Sequence, residues 1–438
     1  MYEYAHRDKF YRDECQKTYV IMFPSDDDEE EFNVLSNDDI FEESFEIFYS
    51  ITDQKTLNFQ NCRSTYIQFE TRYMDEVLYG KELLVYEIVE DDTENPIPIG
   101  TFICQSDTIS DDGTTRQIIA YDRMYDIINS EITDWYRSLD FPITIKDLRD
   151  GLFNEYGIEQ DNISLINDDI EVPKQISDED TLIGGNLVKM IAEINAVFPI
   201  IKNDGLLHWL SLDVGDINET ALYPSLTTYP GETTYPGTGY HGTFIDIYKN
   251  QYQENSVKWS NFLTLKADAI QIRNSANEIA YQTGEAENPY ILINNFLCYD
   301  LSYGQYEIIA RRLLNKIRLI EYVPCTLTKM GDPCIEVGDR IIVHTQENVQ
   351  FITYLFNKHV TGTLVQWEEI QTDGTYYLGQ YDVGKNNPTS AKLKNLDNRV
   401  GNIEKSGSGP LQIVSVPALP ENPQLNVLYL IQGEVTVS

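Results

Sequence analysis

The sequence predicts a mixed α+β fold that is mainly β: two small β-barrels, an inserted α/β unit, and a short C-terminal heptad helix with a strand extension. Three observations predict it. Short apolar runs recur between turn signals over residues 18–121 and 322–383, as half-buried strands of small barrels or sandwiches do. Helical spacing is confined to a few stretches, chiefly 122–138, 144–156, 186–194 and 306–320. The 30 tyrosines and an aromatic content of 12% favour pleated surfaces.

A first barrel is expected over residues 1–122. Phe45–Ile51 and Tyr66–Glu70 alternate, whereas Glu82–Val89 is apolar almost throughout, like a strand covered on both faces. Turn signals at Ser36–Asp39, Tyr79-Gly80, Asn95-Pro96 and Asp111–Gly113 separate the runs. A helix and an α/β unit are expected over 123–215. Met124, Ile128, Ile132 and Trp135 recur at helical spacing and predict one helix over 122–138. Thr144 with Asp147 reads as a capping pair, with Ile145, Leu148, Leu152 and Tyr156 on one face and Gly157 as a left-handed cap. Another helix starts near Asn186, with Leu187, Met190, Ile191 and Ile194 inward. Val197–Ile201 and Leu206–Leu212 flank Asn203-Asp204-Gly205, a hairpin signal.

The second barrel is expected over 216–385, with a loop insertion at 222–240 and a helix at 305–321. The insertion holds Tyr223, Tyr229 and Tyr235, the last two in repeats of Thr-Thr-Tyr-Pro-Gly. It is a solvent-facing insertion or a contact surface, since tyrosine offers large amphipathic area at low entropy cost. The helix sets Tyr306, Ile309, Ala310, Leu313, Ile317 and Ile320 on one face. Arg311, Arg312, Lys316 and Arg318 on the other suit a solvated face or docking on an acidic neighbour. Strands are expected at Asp339–His344, Phe351–Leu355 and Gly362–Trp367. Residues 386–405 place Leu393, Leu396, Val400 and Ile403 at heptad spacing, a contact between copies too short to hold alone. Residues 406–438 form a small extension with a strand around Val427–Ile431.

Lys and Arg number 32 against 71 Asp and Glu, a net charge of −39. Such a chain repels phosphate backbones and anionic bilayers, so no stable nucleic-acid binding is expected. No apolar run is long enough to predict a membrane segment. The six cysteines are scattered without a CxxC pair and read as reduced, mostly buried thiols.

No motif points to catalysis. The five histidines form no HxH, HExxH or i,i+4 pair, so no metal site is predicted. GxSxG, Walker and GxGxxG patterns are absent, and no cofactor is predicted. Gly184-Gly185 reads as a tight turn into a helix rather than an anion cradle. Asp26–Glu31 reads as a solvated acidic loop rather than a cation site.

Three stretches carry a resemblance. In Pro98–Gly113 with Gln117–Asp122, a Gly-aromatic-apolar strand leads through a turn to an Ala-Tyr-Asp strand end entering a helix. Residues 184–212 read as a helix followed by an Asp-Gly hairpin. Gly331-Asp332-Pro333 through Glu336-Val337-Gly338-Asp339 is a Gly-Asp-Pro…Glu-x-Gly-Asp loop. In this order, over roughly residues 18–385, they resemble the baseplate hub or tail-associated proteins of phages and related contractile particles. Asn422–Gly433 is similar to short segments of tail fibre proteins. The resemblance implies a virion structural protein, assembled in the host cytoplasm as a homotrimeric ring of β-barrels at the end of the tail tube. Its implied partners are a distal-tail or tube-end ring, a tape-measure protein, and a tail fibre or receptor-binding protein. Many relatives carry a peptidase or lysozyme domain after this region. None is recognisable here, so no enzymatic activity is expected. The acidity then reads as a bore that repels passing DNA. Two other readings stay open: a carbohydrate-binding adhesin using the tyrosine loop, and a cell-wall hydrolase with an unrecognised carboxylate pair.

Overall fold

A computed structural model describes residues 10, 15–26, 31–52, 56–90, 92–176, 180–212, 245–260, 262–264, 266–284, 286–346 and 349–374, and the backbone of strands at 412–416 and 427–431. The chain divides into two compact units, 1–378 and 379–438.

The strand-rich first region gives β1 (Lys17–Pro24), β2 (Phe32–Leu35), β3 (Glu46–Ser50), β4 (Tyr66–Thr71), β5 (Glu82–Val89), β6 (Ile97–Ile109) and β7 (Arg116–Tyr121). β1 and β5 alternate buried and half-buried positions along their whole length. Inward residues such as Ile21, Phe23, Phe69, Val85 and Ile118 share one apolar core. Among the described residues β5 therefore packs into a core on one face, not on both as its continuous apolar run suggested. Leu84, Tyr86 and Ile88 point the other way and join no core cluster.

The single helix expected over 122–138 is two, α1 (Met124–Asn129) and α2 (Thr133–Ser138). The break lies where the chain pairs with a distant segment. Ile132 N–H donates to the Leu182 carbonyl, and Gly184 N–H donates to that of Ser130. An unbroken helix would have used the Ser130 and Ile132 groups internally. After β8 (Ile143–Thr144), α3 (Ile145–Glu155) begins with the expected cap, Thr144 Oγ1 accepting from Asp147 N–H at 3.0 Å. Gly157 follows at φ +62°, the left-handed cap. β9 (Glu171–Val172) precedes α4 (Gly184–Asn195), which starts before Asn186. Gly184 and Gly185 are thus part of its first turn. A Cβ on Gly185 would lie 2.9 Å from the Ile128 carbonyl oxygen, so both glycines serve to press α4 onto α1. β10 (Phe198–Ile201) and β11 (Leu207–Leu210) make the expected hairpin.

Short strands β12 (Ile245–Ile247), β13 (Lys258–Trp259), β14 (Ala269–Arg273), β15 (Ile279–Gln282) and β16 (Pro289–Leu292) lead to α5 (Tyr303–Ile317). Its buried face is the predicted one from Tyr306 to Ile317, and Ser302 with Gln305 forms a capping box. β17 (Cys325–Met330), β18 (Arg340–His344), β19 (Gln350–Tyr354), β20 (Asn357–Thr361) and β21 (Trp367–Thr372) follow. The strand expected at Gly362–Trp367 is instead mostly the turn between β20 and β21, entered by Gly362 at φ +81°. In the second unit, β22 (Gln412–Val416) and β23 (Val427–Ile431) pair in parallel.

The two expected barrels do not form as separate closed sheets. β20 pairs antiparallel with β3, with Val360 opposite Ile47 in the same core. One eleven-stranded sheet results, ordered β13-β17-β21-β20-β3-β4-β7-β6-β5-β1-β2. Its end strands do not pair with each other among the described residues. The inward faces of the early and late strands are in phase, but of the late strands only Val360 joins the core of the early ones, while Leu327 and Ile370 pack into the other core. The helices, the β10–β11 hairpin and the sheets β12-β18-β19 and β15-β14-β16 gather around a second, larger core.

Candidate functional site: a buried charge cluster

The Gly331–Asp339 loop connects β17 to β18 and covers six buried charged side chains. Lys17, Lys329, Lys358, Glu87, Asp332 and Glu368 are each at most 6% exposed. Strand alternation brings five of them there. Lys17 on β1, Glu87 on β5, Lys329 on β17, Lys358 on β20 and Glu368 on β21 all occupy inward positions.

Glu368 is the centre. Its Oε2 lies 2.8 Å from Lys329 Nζ and its Oε1 2.9 Å from Lys358 Nζ. Oε1 also accepts from Asp332 N–H at 2.7 Å. Lys358 donates further to the carbonyls of Asp332 (3.0 Å) and Ile335 (2.8 Å), and Lys329 to that of Met330 (2.7 Å). Lys17 reaches from the first strand to the Gly331 carbonyl at 2.5 Å and to Gln366 Oε1 at 3.2 Å. Asp332 Oδ1 accepts from Cys334 N–H at 3.0 Å. Three cations face three acids, so the formal charge cancels. Burial pushes the Glu87 carboxyl up, opposed chiefly by Lys17. Burial pulls the Lys329 ammonium down, opposed chiefly by Glu368.

The two glycines of the loop are sterically required. A Cβ on Gly331 would sit 2.6 Å from Gln366 Oε1 and 3.3 Å from Lys17 Nζ. Gly338 has φ +90°, and a Cβ there would meet Leu210 Cδ1 at 2.8 Å. The cavity beside the loop, lined in part by Tyr49, Lys202, Pro333, Glu336 and Lys358, holds about 20 Å³, room for a single water. The ammonium groups are held by fixed carbonyls and carboxylates. Such an arrangement fastens strands in one register, since any slip would strand a buried charge.

The residues singled out from sequence lie elsewhere. Arg311 pairs with Glu307 at 2.7 Å on the exposed side of α5. Arg312 holds Asp169, with Nη2 3.0 Å from Oδ2, and Lys316 donates to the Asn195 carbonyl at the end of α4 at 3.1 Å. Two members of the basic cluster thus tie α5 to its neighbours, while Arg318 is exposed. Tyr223, Tyr229, Tyr235, Leu393, Leu396, Val400 and Ile403 lie outside the described residues. His208 sits between Asp161 (3.1 Å) and Asp204 (2.9 Å), and His344 lies 2.7 Å from Asp246. Among the described residues no group of three or more His, Cys, Asp or Glu side chains is placed to hold a metal, and no helix is long and apolar enough to cross a membrane. The six cysteines form no disulfide and five are buried. Burial pushes the thiols of Cys62, Cys104 and Cys325 up to about 12.

The charge cluster was missed in sequence, yet its signal was there. Lys17 precedes Tyr19 and Ile21, Glu87 lies between Val85 and Val89, and Lys358 lies between Phe356 and Val360. Each is a charge in the apolar phase of an alternating strand.

No family model and no curated protein matches the chain. Solved structures do. They are phage tail and baseplate proteins. A tail protein from Neisseria meningitidis aligns at 12% identity and a TM-score of 0.43, covering 82% of this chain and 98% of its own. The 43 kDa tail protein of a Shewanella oneidensis prophage aligns at 11% and 0.45, covering 81% and 97%. A prophage tail protein from Listeria monocytogenes aligns at 11% and 0.46, covering 81% and 95%. TM-scores of 0.43 to 0.46 do not establish a common fold, so the functional reading rests on this chain's own residues.

Proposed function

We propose that the chain is a structural hub of a phage-type tail tip or baseplate. It forms a homotrimeric ring that closes or extends the tail tube, anchors fibres and lets DNA pass. The observation that carries this reading is the place of the Gly331–Asp339 loop. The segment with the most specific resemblance to hub proteins also covers the cluster that ties β1 to β17, β20 and β21. A sheet pinned by buried ion pairs suits a part that must keep its shape while force and DNA pass it.

The net charge of −39 supports the same reading. Acidic residues around a bore repel the phosphate backbone rather than bind it. The partners are a tube-end or distal-tail ring, a tape-measure protein and a fibre or receptor-binding protein, and the location is the virion. Leu393, Leu396, Val400 and Ile403 would seed a contact among three chains, and the tyrosine loop would face a partner. The test is light scattering with negative-stain imaging of the purified chain. A ring with threefold symmetry and three times the 50.5 kDa of one chain is expected. A compact monomer at every concentration overturns the ring.

A further inference from the structure

An antiparallel sheet with one face on a core ordinarily turns polar residues outward. The large sheet here does so only in part, with Glu46, Gln68, Glu70 and Glu82 outward among many apolar residues. Val34, Met22 and Leu84 stand in register on the outward face of β2, β1 and β5, and Val20 faces Tyr86 one step along. Further across, His359, Phe48, Tyr66 and Tyr121 on β20, β3, β4 and β7 form a ladder of rings with centroids 6.0, 5.6 and 5.8 Å apart. Tyr125 of α1 stacks on its end at 4.3 Å. Among the described residues, none of these side chains packs into a core cluster. At the edge strand β2, Phe32 is 45% and Val34 53% exposed.

We infer that this outward face is the interface between copies of the chain. The inference rests on the hub reading and names the surface that reading lacks. Charge argues for a second copy as the occupant. With 71 acidic residues against 32 basic, two copies repel across most surfaces they can present to each other. The Val34–Met22–Leu84 row and the ring ladder carry no acid, and two acids beside them have cationic or imidazole neighbours, Glu82 at 3.2 Å from Arg123 and Glu46 at 3.4 Å from His359, so like-charged copies repel least there. Size agrees. Eight strands from β20 to β2, ~5 residues long, span roughly 34 by 17 Å, or about 600 Å² in projection. A specific interface needs on the order of 800 Å² of accessible surface per partner, and a corrugated face exposes more than its projection. A covering copy also removes the hazard of an exposed apolar edge strand.

The test places one charge in each part of the face, Val34→Glu in the apolar row and Tyr66→Glu in the ring ladder. The control is Ile279→Glu, whose parent residue is 52% exposed on a different sheet. Circular dichroism and melting check that each variant folds, and sedimentation across a concentration series reads assembly. The wild type and Ile279→Glu are expected to assemble alike. Val34→Glu and Tyr66→Glu, folded, are expected to need at least about tenfold higher concentration. Folded Glu variants that assemble like the wild type overturn the interface, and a ring in their images leaves the hub reading intact. A twofold, non-ring assembly that both variants dissolve supports the interface and overturns the ring. A wild type that stays monomeric throughout overturns the interface.

Discussion

Replacing Glu368 with alanine removes the acid that two buried ammonium groups share. The side chain makes three contacts, at 2.8 Å to Lys329, 2.9 Å to Lys358 and 2.7 Å to the Asp332 amide. Charge-assisted bonds of this kind contribute roughly 1.5–3 kcal/mol each. The full sum overstates the loss, because Lys358 keeps two carbonyl acceptors and Lys329 keeps one. Glu368 also carries a desolvation cost that the deletion relieves. Breaking a buried pair while leaving its partners behind costs about 3–5 kcal/mol, and that is the expected loss for Glu368→Ala. A second variant, Lys329→Met with Glu368→Leu, removes one ammonium as well and fills the space with apolar atoms. It is expected to recover at least about half of the loss. Urea unfolding followed by fluorescence measures both. A loss below about 1 kcal/mol for Glu368→Ala, or a double variant less stable than the single, would refute the view that paired burial fastens the sheet.

Other outcomes follow from the same geometry. Burial pushes Glu193 up from 4.5 to about 8. The folded chain then keeps a proton that the unfolded chain has released, so this group's contribution to stability declines as pH rises from about 4.5 to 8. Glu193→Gln mimics the neutral acid and should flatten that decline, with an advantage above pH 8 on the order of 5 kcal/mol at most in pH-dependent melting. Gly331→Ala should cost about 1–3 kcal/mol by denaturant unfolding, since its methyl group has no space beside Gln366. Thr144→Ala should cost about 1 kcal/mol through the lost cap of α3. A thiol reagent at neutral pH should leave Cys62, Cys298 and Cys325 unmodified in the native chain and label them in denaturant, because burial disfavours the thiolate.

Local features were the legible ones. The Thr144 cap, Gly157, the Asn203–Gly205 hairpin and the buried stripe of α5 are each decided within about a dozen residues, and each formed where expected. What failed depended on partners far along the chain. Nothing near Ser130 announces that residues 182–184 will take its hydrogen bonds. Nothing near Glu46–Ser50 announces β20 as its neighbour, and that pairing turned two expected barrels into one sheet. The run Glu82–Val89 misled for a different reason. Its apolar residues do lie on both faces, but among the described residues only one face packs into a core. The charge cluster was half legible. Inward charges on single strands mark themselves as needing partners, while the identity of the partners waits on the sheet order.

The bond from Lys17 to the Gly331 carbonyl joins residues 314 positions apart. That separation sets a clock for biosynthesis. At ~5–20 residues per second, the ribosome needs roughly 15 to 60 s after making Lys17 before its acceptor exists. Throughout that wait β3 lacks β20, and the buried face of the early strands has an open side. The nascent N-terminal half is thus a strand-rich, unfinished sheet. Completion arrives late and at once: β17, β20 and β21 deliver Lys329, Lys358 and Glu368 within a few dozen residues of synthesis, and the acid that pairs two of the cations comes last. Competence to assemble would then be conferred only on chains translated through β21.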